Sequence, residues 1–220
     1  GLITKIPAIV MKKLKEILKY PAMWRRSHGF GVHSPFAYHF ITKVIGERKA
    51  VYYAYAKIAA FCPKSRKSGF NEIFAGRDMS IPEGQLIFRV LCYFNPEEII
   101  EIGHGHEVTN VILRNAVPRA KTKFFHSGKS ITPEPTGEPV VIANQCSNEE
   151  AEETMELLRN LVASRDIVLI MRNLHSVPAF ASIWREILDA TPFGLSFTDG
   201  YTGLFVARRK LPRTDYEVFM

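Results

Sequence analysis

From residue 98 onward, short apolar runs alternate with stretches whose apolar side chains recur every three or four residues. Short continuous runs are typical of buried strands, and the wider spacing is typical of helices that bury one face. Strands are predicted at 98–102, 121–126, 140–143 and 166–171, followed by a hairpin of 195–198 with 203–208. This alternation predicts an α/β fold with a mostly parallel, Rossmann-like sheet and an antiparallel hairpin at its C-terminal end.

Helix boundaries in this part of the chain are marked by capping and breaking residues. Ser80 followed three residues later by Glu83 is a capping box, which predicts a helix that ends before Asn95. The other predicted helices are one after Gly105, one over 148–163 and one over 179–188. The segment 127–139 is rich in Ser, Thr, Gly and Pro, which predicts a loop.

Helices are also predicted in the first part of the chain. Residues 5–20 carry apolar side chains at helical spacing with lysines between them, and Pro21 is expected to end this helix. Ser34 followed by Pro35 predicts the start of a second helix, and 50–61 predicts an aromatic-rich third. The first helix is amphipathic, so it either docks on the body of the protein or binds a membrane surface or a partner.

Charge divides the chain into two parts. Residues 1–70 hold 14 basic and 2 acidic residues, a net charge of +12, whereas residues 71–220 hold 15 basic and 20 acidic residues, a net charge of −5. We therefore expect a basic helical N-terminal region, 1–79, ahead of an α/β domain, 80–220. A region with this much positive charge would bind an acidic partner, a nucleic acid or an anionic membrane surface. No nucleic-acid-binding motif is recognisable in it.

Composition excludes several classes of protein. The three cysteines are far apart and form no Cys-x-x-Cys pair, which excludes a zinc ribbon and a thioredoxin motif. The apolar runs are too short to cross a bilayer, so no transmembrane segment is predicted. A reducing cytoplasm is the simplest location, with peripheral contact at the membrane as the alternative. The sequence does not specify the oligomeric state.

Candidate chemistry is concentrated where the first predicted strand ends, at Glu101-Ile-Gly103-His-Gly105. Ligands of open α/β sheets bind beyond the carboxyl ends of the strands. A dinucleotide fingerprint would need a glycine where Val108 stands, and a P-loop would need one where Lys123 stands. The remaining match is the Glu-x-Gly-x-Gly turn of class I S-adenosylmethionine methyltransferases.

Further segments match the same class of protein as this turn does. They are residues 28–38, which include His33-Ser-Pro-Phe36, the stretch 86–101 that leads into the turn, and the C-terminal stretches 173–176, 183–187 and 199–206. Together they resemble a Bacteroidetes-type family of S-adenosylmethionine-dependent methyltransferases. The resemblance implies that a basic helical region precedes a methyltransferase sheet, and that the cofactor's methyl group passes to an acceptor that the sequence does not identify. It implies a cofactor site around Glu101, Gly103, Gly105, His106, Ser127, Asn144 and Asn173. Methyl transfer depends mainly on alignment, so no catalytic acid or base is assigned.

The chain departs from the plan of that family at its strand ends. The resemblance implies an acidic residue after the second strand, where it would hold the ribose hydroxyls, but Ser127 stands there; Asn144 and Asn173 stand where the family tends to carry aspartate. A hydroxyl accepts a weaker hydrogen bond than a carboxylate does. The segment 127–139 is also too short for a complete helix–strand–helix insertion. We therefore expect an altered cofactor site in a protein that is weakly active or inactive.

Two other interpretations stay open. The chain could be a non-catalytic α/β module whose basic N-terminal region binds an acidic partner, a nucleic acid or a membrane surface. It could also be a metal protein, but the candidate histidines match no known ligand spacing, and no metal site is predicted. These candidates are His104, His106, His126 and His175, with a second group at His28, His33 and His39.

Overall fold

The computed structural model describes residues 8–62, 79–103, 107–125, 137–144 and 146–220, with side chains from residue 18 onward. Its strands are β1 (Glu98–Ile102), β2 (Lys121–Phe125), β3 (Val140–Ala143), β4 (Ile167–Met171), β5 (Leu195–Thr198), β6 (Gly203–Ala207) and β7 (Thr214–Glu217). They form one sheet in the order β2-β1-β3-β4-β6-β5-β7. Only β6 runs antiparallel to its neighbours in this sheet. The predicted mostly parallel α/β fold with a C-terminal hairpin is therefore confirmed.

Strand β7 is absent from the sequence prediction. It lies parallel to β5 at the edge of the sheet. Tyr216 is its only buried residue, and the Tyr216 ring stacks on Phe197 with the ring centroids 5.3 Å apart. A short edge strand with one buried side chain has no apolar run, which explains why the hydrophobic pattern did not predict it.

The helices lie close to the predicted positions. They are α1 (Ala8–Ser27), α2 (Pro35–His39) with a π-helical continuation (Phe40–Ile45), α3 (Tyr53–Phe61), α4 (Ile81–Phe94), α5 (Glu107–Ala116), α6 (Ala151–Ser164) and α7 (Pro178–Ala190). The capping box of α4 is confirmed, since the Ser80 hydroxyl accepts from the Glu83 N–H and the Glu83 carboxylate accepts from the Ser80 N–H. Ser34 caps α2 as predicted, accepting from the N–H of Ala37 at 3.3 Å.

The prediction that Pro21 ends the first helix is wrong, because α1 continues through it to Ser27. A proline inside a helix removes one backbone hydrogen bond and crowds the preceding turn. Contacts with the C-terminal segment offset this cost: the Ser27 hydroxyl accepts from the N–H of Phe219 at 2.8 Å and donates to the Met23 carbonyl. The Tyr20 ring also lies 5.7 Å from the Phe219 ring. Tertiary packing therefore decides where this helix ends.

Both faces of the sheet are covered by helices. Along β4, Val168 and Ile170 belong to the core under α3, α4 and α5, while Leu169 belongs to the core under α6 and α7. The first of these cores also contains Phe40 and Ile58 from the N-terminal region. The two parts of the chain thus share a hydrophobic core, and a boundary near residue 79 stays a prediction from charge.

A substitution at Gly203 tests the packing of the core under α6 and α7. A Cβ placed on Gly203 would lie 2.7 Å from Cη2 of Trp184 and 2.8 Å from two further ring atoms. We expect G203A to lower the free energy of unfolding by about 1–3 kcal/mol, because a buried ring must then leave its position. Urea denaturation measures this loss. In a W184F background, which lacks the crowding atoms, the same change should cost less stability. Equal losses in the two backgrounds would show that Gly203 is not packed closely against the Trp184 ring.

Candidate functional site

The carboxyl ends of three neighbouring strands place polar side chains on one face of the sheet. Successive side chains of a strand point to opposite faces, so Glu101 of β1 shares the α4 side with Asn144 and Arg172, which follow β3 and β4. The parallel ladders extend to these residues, because Asn144 N donates to Ile102 O at 2.9 Å and Arg172 N donates to Ala143 O at 3.0 Å. Strand alternation and register thus bring three polar groups together.

Arg172 joins these strand ends to the first turn of α4. Its Nε donates to Oε1 of Glu83 at 2.8 Å, and its Nη1 donates to Oδ1 of Asn144 at 3.1 Å. Asn144 Nδ2 then donates to Oε1 of Glu101 at 2.6 Å. Arg172 is fully buried and the Glu83 side chain is 12% exposed, so this is a buried ion pair extended by an amide. A buried charge of this kind is tolerated only with its partners in place.

Glu101 is the most perturbed group of this network. It is fully buried, and its Oε2 has no hydrogen-bond partner in the part of the chain that the structure describes. Desolvation by burial raises the pKa of Glu101 to about 7, against the lowering effects of the Asn144 hydrogen bond and the Arg172 charge. Protonated and ionised Glu101 therefore coexist near neutral pH. A buried carboxyl with a shifted pKa at a strand end is a candidate functional group.

Asn173 turns the chain at the end of β4. Its φ of 59° lies in the left-handed region, which asparagine tolerates better than most residues. Its side-chain Nδ2 donates to the Asn144 carbonyl at 3.0 Å, so the turn is tied to the strand-end network. The next residue, Leu174, donates its N–H to the Tyr201 carbonyl at 2.9 Å. This brings the loop after β4 beside the hairpin loop.

A cavity of about 330 Å³ lies between these loops and the start of α4. Asp199 shapes the hairpin side, since its Oδ1 accepts from the N–H groups of Tyr201 and Thr202 at 2.8 and 2.9 Å. Polar groups dominate the lining, which suits a small polar ligand. The lining residues are Ser80, Pro82, Glu83, Leu86, Asn173, Ser176, Asp199, Tyr201, Thr202 and Met220.

Three of the predicted cofactor residues belong to one connected group: Glu101, Asn144 and Asn173. Gly103 stands beyond the end of β1 with φ 79°, and its N–H donates to the Phe125 carbonyl at 3.2 Å. A positive φ of this size favours glycine, as the turn motif requires. The remaining predicted positions, Gly105, His106 and Ser127, lie outside the described residues, as does most of the predicted loop 127–139.

Sequence reasoning missed Arg172 and assigned Glu83 only a capping role. Residues 167–171 form a continuous apolar run, typical of a strand that is covered on both faces. A charge directly after such a strand, on the same alternation as Val168 and Ile170, is expected to be buried and to need a carboxylate. That signal could have identified Arg172, but not its partner, because Glu83 is 89 residues away.

The metal interpretation gains no support from the described residues. Within them, no group of three or more His, Cys, Asp or Glu side chains is placed to hold a metal ion. His104, His106 and His126 lie outside the described residues, and the ring of His175 lies 5.4 Å from the Tyr201 ring.

Among helices of the described ranges, none is both long and apolar enough to span a bilayer.

No protein-family model matches this chain, and no curated protein matches it significantly. Its class is therefore defined by the fold: it is an α/β protein with a mostly parallel, Rossmann-like sheet and a C-terminal hairpin. The candidate site within that class is the buried polar group at the carboxyl ends of β1, β3 and β4, with the adjoining cavity.

Proposed function

We propose that this protein is an S-adenosylmethionine-dependent methyltransferase-like protein with an altered cofactor site, which binds the cofactor weakly at the carboxyl ends of β1 and β3. The observation that supports this most is Oε2 of Glu101, a buried carboxylate oxygen that finds no partner among the described residues. It stands where open α/β sheets bind nucleotide ligands. The ammonium group of the methionine part would supply the missing donor.

The same residue explains why the proposed affinity is low. Glu101 is fully buried, and Asn144 already occupies its other oxygen. Contact with a ligand therefore requires that part of the cover over Glu101 moves aside, which costs binding energy. The left-handed turn at Gly103 supports the proposal, since such a turn lets backbone N–H groups approach a ligand closely.

The cavity provides room for a methyl acceptor in this proposal. The cofactor, when bound, supplies an electrophilic methyl group, and the protein must align an acceptor with it. Ser176 of the loop after β4 lines the cavity together with Asp199 and Tyr201 of the hairpin loop. Glu83 links the cavity to the strand-end network. Hydroxyl and carboxylate groups of this kind would orient a small polar acceptor.

Isothermal titration at low salt with S-adenosylmethionine and S-adenosylhomocysteine tests the proposal. We expect weak binding of both ligands, reduced about tenfold or more by E101Q, because a charge-assisted hydrogen bond is lost. E97Q is the matched control, since Glu97 is exposed and lies just before the opposite end of β1. The variant S127D should strengthen binding, because it restores the acid that the family resemblance implies after the second strand.

The pH dependence of binding provides a second readout. Glu101 must be ionised to accept a hydrogen bond from an ammonium group, so affinity should rise as the pH increases from 6 to 7.5, through the pKa of about 7. E101Q should lack this increase. An absence of both binding heat and a thermal shift at millimolar ligand would rule the proposal out. Equal affinities of E101Q and the unchanged protein would also rule it out.

A further inference from the structure

Exposed apolar side chains are concentrated in the N-terminal region. The described residues contain 13 large hydrophobic side chains that are exposed, and nine of them lie between residues 18 and 61. Single exposed apolar residues are normal on protein surfaces, but a concentration of them indicates an interaction surface.

The same segment carries an excess of positive charge. Residues 18–62 hold seven lysines and arginines and a single acidic residue, Glu47. The Glu47 carboxylate accepts from the backbone N–H groups of Lys49 and Ala50, so it serves the local turn. Apolar exposure and positive charge thus coincide in one part of the chain, which is typical of a protein that contacts an anionic, partly apolar surface.

The end of α1 shows how this surface is built. Tyr20 and Ser27 contact the C-terminal segment, and they lie on one side of the helix. Leu18 and Arg25 lie on the opposite side of the helix. Trp24 lies between the two sides, next to Tyr20, and the side chains of Leu18 and Trp24 are 69% and 54% exposed. Lys19 also contacts the C-terminal segment, through an ion pair with Glu217 at 3.0 Å. Leu18, Trp24 and Arg25 form the outer side of this end of α1, which is exposed, apolar and basic.

The outer side of α1 continues over the turn that follows the helix. The Trp24 ring lies 4.4 Å from the His28 ring, and the N–H of Phe30 donates to the Arg25 carbonyl at 3.0 Å. The Tyr38 ring packs against Gly29, so it adjoins the same turn. Phe30 and Tyr38 are 57% and 50% exposed.

The chemistry of this surface favours lipid over nucleic acid. Aromatic and basic side chains alone would suit stacking on bases and contact with phosphates. Leu18 cannot stack on bases, yet it is among the most exposed apolar residues, with 69% of its side chain exposed. Aliphatic, aromatic and basic side chains together are the composition of helices that lie in a membrane interface.

We propose that residues 18–62 bind the surface of a bilayer that contains anionic lipids, with the outer side of α1 and the following turn in contact with the headgroups. Trp24, Leu18 and Phe30 insert among the headgroups, while Arg25 and Arg26 attract anionic lipid. The binding is interfacial, and it is independent of whether the strand-end site holds a cofactor.

Vesicle co-sedimentation of the full chain tests this proposal. We expect binding to vesicles of mixed phosphatidylcholine and phosphatidylglycerol, little binding to phosphatidylcholine alone, and weakening at about 0.5 M salt because the charges are screened. The chain has two tryptophans, of which Trp24 is exposed and Trp184 is 9% exposed. Brominated lipid in the mixed vesicles should therefore quench Trp24, and W24F should lose most of this quenching.

Matched variants distinguish binding through this surface from nonspecific adsorption to lipid. The double variant L18S and W24S should bind mixed vesicles at least tenfold more weakly, because two apolar side chains no longer enter the interface. F124S is the control, since Phe124 is 52% exposed on β2, outside the proposed surface, and should bind as the unchanged protein does. Far-UV circular dichroism confirms that each variant is folded.

Three results would overturn the proposal. One is an absence of binding to the mixed vesicles at low salt. Another is binding that leaves Trp24 unquenched, since a different face would then contact the lipid. The third is displacement of the protein from vesicles by a single-stranded oligonucleotide at lower phosphate concentration than the lipid, because the surface would then be a nucleic-acid site.

Discussion

The variant R172M is expected to lower the free energy of unfolding by about 3–5 kcal/mol, because it removes one partner of a buried ion pair. Arg172 is fully buried and donates to both Glu83 and Asn144. Methionine fills much of the same volume, so the loss comes from the carboxylate and the amide oxygen left without their donor. Urea denaturation at pH 7 measures the change.

Two further variants show whether the loss belongs to this pair. The double variant R172M with E83L should lose less stability than the two single variants lose in sum, because no unpaired charge remains in the double variant. R159M is the exposed counterpart: Arg159 pairs with Glu186, and both side chains are 50% exposed. It should cost less than about 1 kcal/mol. Near wild-type stability of R172M would show that the pair is dispensable.

Much of the fold follows from local sequence signals. Strands β1, β3 and β4 are buried along their whole length. The continuous apolar runs of β3 and β4 identify them as strands that are covered on both faces. Ser34 and Ser80 mark helix starts through hydrogen bonds within three residues. Because these determinants lie close together in sequence, they can be recognised without knowledge of the tertiary structure.

The features that the sequence did not predict correctly, the end of α1 and strand β7, depend on contacts between segments that are distant in the chain. Pro21 predicts a helix end, but contacts of Ser27 and Tyr20 with Phe219 hold α1 beyond it. Strand β7 is defined by pairing with β5, and only Tyr216 of the strand is buried. Neither outcome leaves a local pattern, since the stabilising partner is far away in the chain.

The sequence predicts where the candidate site lies, but it does not predict which of its side chains are hydrogen-bonded to one another. Strand ends and alternation place Glu101 and Asn144 together, as expected for neighbouring parallel strands. Their bond to each other, and the link through Arg172 to Glu83, depend on the packing of α4 on the sheet. The cofactor role of these residues stays a prediction.

The contribution of Glu101 to the stability of the fold should decrease as the pH rises from about 4.5 to 7, because Glu101 ionises later in the folded chain than in the unfolded chain. Burial raises the pKa of Glu101 from 4.5 to about 7 in the folded protein. Between these values the folded chain retains a proton that the unfolded chain releases, so each increase in pH favours unfolding. The full difference is on the order of 3 kcal/mol and is complete above pH 7.

The variant E101Q isolates this contribution, because glutamine keeps the acceptor for Asn144 and does not titrate. Near pH 5 the two proteins should be similarly stable, since Glu101 is then protonated and uncharged when folded. By pH 8 the variant should be more stable by up to about 3 kcal/mol, because the native chain must hold a buried carboxylate with one oxygen unpartnered. Urea denaturation across this range, with E97Q as the exposed control, measures the difference. A constant difference between E101Q and the unchanged protein from pH 5 to 8 would mean that Glu101 titrates as an ordinary carboxyl group.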